Sequence, residues 1–106
     1  MPVAAFTVSV IDIDDDALVT ISGELDAATC ETLSRRLQPL LMDSVSDVVV
    51  DLSHIVFADS TAAHLLTQLS LELLGGGRRL ILTSPSRSVA RLLSLTDLSI
   101  WLPSTR

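Results

Sequence analysis

Ser60 stands between Asp59 and Thr61 in the stretch FADSTAAHLL, Phe57 to Leu66, with His64 four residues further on. Serine, histidine and aspartate are the parts of a nucleophilic site, in which the histidine takes the serine proton and the carboxylate orients the histidine. The spacing argues against that chemistry. Asp59 adjoins Ser60 and cannot readily hold the far side of His64, and neither a G-x-S-x-G elbow nor a visible oxyanion hole accompanies them. Asp51, His54, Asp59 and His64 are metal-ligand types, but their spacings match no known ligand set and no cysteine assists. Surface or edge positions are the plainer reading of both histidines. A structural role competes with these: Asp59 or Ser60 caps a helix by accepting a hydrogen bond from an early backbone N–H, worth about 1 kcal/mol.

Those residues lie where a strand-like run gives way to a helical one. Asp47-Val48-Val49-Val50-Asp51-Leu52 is β-branched without alternation, the pattern of a strand covered on both faces and the best candidate for a central parallel strand. From Ser60 the apolar positions Leu65, Leu66, Leu69 and Leu73 follow a helical period, and Gly75-Gly76-Gly77 ends it. Coming after a helix, without the lysine and Ser/Thr of a phosphate loop, these glycines read as a C-cap and turn.

Upstream, Phe6, Val8 and Val10 alternate with Thr7 and Ser9, and after Asp14-Asp15-Asp16 the run Leu18-Val19-Thr20-Ile21-Ser22 resumes the period, giving a β-hairpin. The acidic triplet lacks the glycine and the closing glutamate of a calcium loop and reads as a solvated turn. Asp26 is a good N-cap for a helix with the apolar face Leu33, Leu37, Leu40 and Leu41. Pro39 should kink or stop that helix near Leu37. Arg79-Leu80-Ile81-Leu82-Thr83 makes another strand, Ser84-Pro85 opens a helix carrying Val89, Leu92 and Leu93, and Ile100-Trp101-Leu102 offers a short last strand. The order ββαβαβα(β) implies an α/β fold, a mixed sheet of about four to five strands with helices packed on it and right-handed crossovers. Function in such folds gathers at the C-terminal ends of parallel strands, where Asp59 and Ser60 fall.

The 106 residues suit one domain, 1–106, with a single core. That core is aliphatic, since 48% of the chain is hydrophobic and only 3% aromatic, and so few aromatics exclude a base-stacking platform. A net charge of −6 repels phosphate backbones and anionic lipid heads, so direct nucleic-acid binding and membrane insertion are not expected. The lone Cys30, on the helix with Leu33 and Leu37, reads as a small apolar contact. No basic leader segment and no run of about 18 apolar residues occurs, which suits a cytoplasmic location.

Gly23-Glu24-Leu25-Asp26, followed by Val49-Val50-Asp51-Leu52-Ser53-His54-Ile55-Val56-Phe57-Ala58-Asp59-Ser60-Thr61, resembles the STAS domain family and, within it, the bacterial anti-sigma factor antagonists. The likeness extends over nearly the whole chain, through the glycine turn and the Val89-Ala90-Arg91-Leu92-Leu93 helix. It implies a STAS-like fold in which Ser60 is phosphorylated by a serine protein kinase and restored by a phosphatase. The dephosphorylated form would bind an anti-sigma factor and free a sigma factor. Asp26 would help form the partner surface beside Ser60, with Glu24, Asp59, Thr61 and His64 completing it. The chemistry would belong to the kinase and phosphatase, leaving this chain a switch that is no enzyme and needs no cofactor.

The same resemblance also admits a STAS regulatory subunit docked to a membrane transporter such as a lipid-trafficking ABC system. A phosphate on Ser60 adds about −1.5 to −2 charges at a helix N-terminus, which tolerates anions, so the fold should survive. Beside Asp26 and Asp59 the added charge resists desolvation, and a loss of about 3 kcal/mol would weaken partner binding about a hundredfold. Where the family continues with Gly-Leu-Gly, this chain has Ala62-Ala63-His64. The alanines strengthen the helix start and narrow a partner's approach; His64 could lie near a phosphate or simply at the surface.

Overall fold

The computed structural model describes residues 6–42 and 47–94. β1 (Thr7–Ile13) and β2 (Asp16–Leu25) form the expected antiparallel hairpin, in register from Thr7 opposite Ser22 to Ile13 opposite Asp16. Its turn holds Asp14 at φ 56, a left-handed conformation that a short polar side chain tolerates better than most. Along β2, Ala17, Val19, Ile21, Gly23 and Leu25 are buried and the residues between them half-buried, which is the period of a strand with one face on a core.

α1 (Ala27–Met42) buries Cys30, Leu33, Leu37 and Leu40. The expectation that it would kink or stop near Leu37 is not met, because the helix continues past Pro39 to Met42. Pro39 is exposed and only three residues from the helix end, so its missing N–H and its ring disturb one turn, while buried Leu40 holds that turn on the core. Arg78 supplies what the local sequence lacks: its guanidinium donates to the Leu40 carbonyl (3.1 Å) and the Leu41 carbonyl (2.8 Å). Two terminal carbonyls of α1 thereby gain charged donors from another element.

β3 (Asp47–Ala58) lies parallel between β2 and β4 (Arg79–Thr83), in the sheet order β1-β2-β3-β4. It is the central parallel strand, yet it is not covered on both faces. Val48, Val50 and Leu52 are buried, whereas Asp47, Val49 and Asp51 are half-buried. Val49 stands in register between Leu18 and Ile81, so its β-branched bulk has lateral neighbours on the more open face without a second helical layer. At their N-terminal ends these strands are pinned by carboxylates. Asp16 accepts from the Asp47 amide (3.1 Å), and Asp47 accepts from the Arg79 amide and guanidinium, each at 3.0 Å.

α2 (Ser60–Gly75) buries Ala62, Ala63, Leu66, Leu69, Ser70 and Leu73. The Ser70 hydroxyl is fully buried with no hydrogen-bond partner, the one polar side chain in an otherwise aliphatic core among the described residues. The glycines end the helix as expected. The Gly76 amide donates to the Leu73 carbonyl (3.0 Å), the Arg78 amide donates to the same carbonyl (2.8 Å), and Gly77 takes φ 76.

α3 (Arg87–Ser94) starts later than Ser84-Pro85 suggests. Ser86 is its cap, with its hydroxyl accepting from the Val89 amide (3.4 Å) and its carbonyl from the Ala90 amide (2.8 Å), while Ser84 turns the chain at φ 53. A proline two residues before the cap still sets the entry, but the hydroxyl in reach of an early amide marks the start. Val89 is buried as expected. The side chains of Leu92 and Leu93, and the strand read at Ile100-Trp101-Leu102, lie outside the described residues. The described order is ββαβαβα, a mixed four-stranded sheet with three helices: α1 packs on α2 and β2, α2 on β4 and β3, and α3 on β3 and α2.

Candidate functional site

β2 and β3 are neighbouring parallel strands, and each passes directly into a helix at its C-terminal end. Leu25 pairs with Ala58, and the Asp59 amide donates to the Leu25 carbonyl (3.1 Å). The N-termini of α1 and α2 are thus held side by side, each behind an aspartate.

Asp26 caps α1. Its Oδ1 accepts from the Thr29 amide (3.0 Å), and its own amide donates to the Thr29 hydroxyl (2.9 Å), a reciprocal arrangement that satisfies two orphan donors. The Thr29 hydroxyl donates in turn to the Glu24 carbonyl (2.7 Å), which fixes the path from β2 into the helix. The Thr29 amide, and then its hydroxyl, hold the Asp26 carboxyl below the ordinary aspartate range, because both favour the charged form.

Asp59 caps α2, with Oδ1 accepting from the Thr61 amide (2.9 Å) and its carbonyl accepting from the Ala62 amide (3.0 Å). This resolves which of Asp59 and Ser60 is the cap. Ser60 is the first residue of the helix proper, it is exposed, and its hydroxyl makes no hydrogen bond to a described residue. Thr61 is exposed beside it. Among the described residues His64 makes no hydrogen bond to Ser60 or Asp59, so a Ser60-His64-Asp59 triad is not assembled.

Cys30 lies under both caps. Burial pushes its thiol up to about 11, and the charges of Asp59 and then Asp26 add to the effect. So high a value makes it an inert packing group.

The sequence-read residues separate as follows. Glu24, Asp26, Asp59, Ser60 and Thr61 gather where the two helices begin, and His64 is exposed about one turn along α2. Of Ala62-Ala63-His64, only His64 reaches the surface: Ala62 is 1% and Ala63 6% exposed. The expectation that the alanine methyls would narrow a partner's approach therefore does not hold, since both methyls pack inward. His54 takes another path, its Nδ1 paired with the Ser53 hydroxyl (3.1 Å), and among the described residues no three His, Cys, Asp or Glu side chains converge as a metal site would require. A cavity of about 220 Å³ lies at the opposite end of the sheet, lined by Ile13, Asp14, Asp16, Ala17, Leu18 and Val49, so Ser60 does not open into it.

Sequence reading missed Val56 and Phe57 at this site. They are 56% and 48% exposed, immediately before Ala58-Asp59-Ser60. Nothing in the apolar spacing marked them, because the register shift that turns both outward lies between Ile55 and Phe57 and is set by the pairing of β3 with β2.

A family model described as STAS domain matches residues 7–105, and the chain belongs to that family. A relative from Staphylococcus epidermidis, named anti-sigma-B factor antagonist, is 31% identical over 85 residues, covering 80% of this chain and 79% of the relative. The crystal structure of an anti-sigma factor antagonist from Mycobacterium paratuberculosis superposes with a TM-score of 0.83 at 28% identity, over 93% of this chain and 84% of that one. The Bacillus cell fate determinant SpoIIAA in its phosphorylated form shares the fold, with a TM-score of 0.73 at 21% identity over 93% of this chain and 89% of that one. Among the described residues no helix is long and apolar enough to cross a membrane.

Proposed function

We propose that this protein is an anti-sigma factor antagonist whose partner binding is switched by phosphorylation of Ser60. The unmodified form binds an anti-sigma factor that is also the serine kinase, and so releases a sigma factor; a phosphatase restores the hydroxyl. Transcription is then regulated without contact to DNA, in the cytoplasm, by a chain that carries out no chemistry of its own. Relatives named anti-sigma-B factor antagonist support the class of activity.

One observation carries the assignment to Ser60. The cap of α2 is supplied by Asp59, which leaves the Ser60 hydroxyl exposed and unengaged among the described residues. A kinase can reach it without opening the fold, and the phosphate would sit at a helix N-terminus, whose dipole tolerates an anion. The partner surface comprises Glu24, Asp26, Asp59, Ser60, Thr61 and His64. Docking must desolvate this surface, and a phosphate set among its carboxylates opposes that step.

The test is incubation with purified anti-sigma kinases and ATP, followed by mapping of the phosphate by mass spectrometry. Phosphate on Ser60, lost in Ser60→Ala, is the expected result. A Ser60→Ala protein modified as fully as wild type would overturn it, as would selective co-purification with a transporter ATPase.

A further inference from the structure

The register of β3 against β2 pairs Gly23 with Ile55 and Glu24 with Phe57, so β3 contributes Val56 and Phe57 where β2 contributes Glu24 alone. This is a β-bulge, and bulges re-aim side chains at functional edges. Its effect here is that two consecutive apolar residues face solvent, 56% exposed at Val56 and 48% at Phe57, where a regular strand would turn one of them inward. Phenylalanine is scarce in this chain, with two in 106 residues, and Phe6 is half-buried against the core. The other is held out beside Glu24 and three residues before Ser60, within about 10 Å of chain.

We infer that Phe57, with Val56 beside it, is the apolar anchor of the surface that Ser60 switches, and that the anti-sigma factor receives it in an apolar pocket whose rim carries donors for the Glu24 and Asp59 carboxylates. This rests on the reading of Ser60 as the switch. Interface energy concentrates in a few large, desolvated side chains, and the acidic groups around Phe57 define a rim of complementary charge. The anchor also deepens the account of the switch. Seating Phe57 dries the adjoining surface, and a phosphate on Ser60 must then shed its water with no donor assigned to it.

The experiment titrates wild type, Phe57→Ala, Val56→Thr and Ser60→Asp into the purified kinase that modifies Ser60, by calorimetry, with a thermal melt of each protein. Phe57→Ala should bind about tenfold more weakly, and Val56→Thr about threefold, with melting temperatures close to wild type because both positions are exposed. Weak binding by Ser60→Asp together with Phe57→Ala binding within about twofold of wild type would overturn the anchor and leave the switch standing. Equal binding by wild type and Ser60→Asp, or no binding by wild type, would overturn the switch and the anchor with it. If Phe57→Ala melts early, Val56→Thr decides, and unchanged binding there overturns the anchor.

Discussion

At the scale of single residues, the site turns on which side chain does which job. Asp26 and Asp59 both cap, with carboxylates accepting from the Thr29 and Thr61 amides, and this division leaves Ser60 unengaged among the described residues. The sequence located all three residues but left the cap of α2 open between Asp59 and Ser60, because both types satisfy early amides and only φ/ψ at the junction selects between them. Asp59 takes the extended conformation of a cap, at φ −109 and ψ −173. A pH experiment follows from Asp26. Its folded-state pKa is depressed by Thr29, so its stabilisation is complete above the unfolded value and is lost as pH falls through the folded one. Urea unfolding of wild type should therefore weaken more steeply below about pH 4 than that of Asp26→Asn, which caps without titrating. Equal slopes would count against the Thr29 contact as a stabilising one.

At the scale of elements, periodicity placed the hairpin and two long helices, because burial on one face of a strand or helix writes itself into the spacing of apolar residues, while the central strand was marked by its valine run alone. It failed where an element depends on a distant residue. Pro39 should have ended α1 by the local rule, yet Arg78, about 38 residues away, donates to the Leu40 and Leu41 carbonyls and completes the last turn. Arg78→Ala should cost about 1–3 kcal/mol in urea unfolding, with amide exchange accelerated in the last turn of α1. Loss of stability without faster exchange there would point to another role for Arg78. β3 shows the same limit. The valine run marked its first half, but Ser53 to Ala58 joined the strand only through two bulges, one braced by the Asp51 carboxylate accepting from the Ser53 amide (2.9 Å). A bulge has little composition of its own, so no periodic template finds it.

At the scale of the whole molecule, two successive strand-to-helix transitions on adjacent parallel strands bring separate segments, Gly23 to Asp26 and Phe57 to His64, to one end of the sheet. The proposed phosphorylation site is thereby on the surface of a finished fold whose core includes Leu33, Leu52, Leu66 and Leu82. Ser60→Glu should accordingly unfold at nearly the wild-type urea midpoint, within about 0.5 kcal/mol, since the substitution is exposed and sits at a helix N-terminus. A large loss would mean that phosphorylation acts by loosening α2 and not by changing the surface.

The fold class, the Asp26 cap and the glycine turn after α2 were readable from the chain because each rests on local physics: apolar spacing, the reach of a carboxylate to an amide three residues on, and a glycine's freedom at positive φ; Ser60 was singled out by the motif around it. The inward packing of Ala62 and Ala63, the completion of α1 by Arg78 and the outward turn of Val56 and Phe57 were decided only in three dimensions. Each depends on where a neighbouring element lies, and side-chain burial or strand register changes with a rotation of one helix or the insertion of one residue.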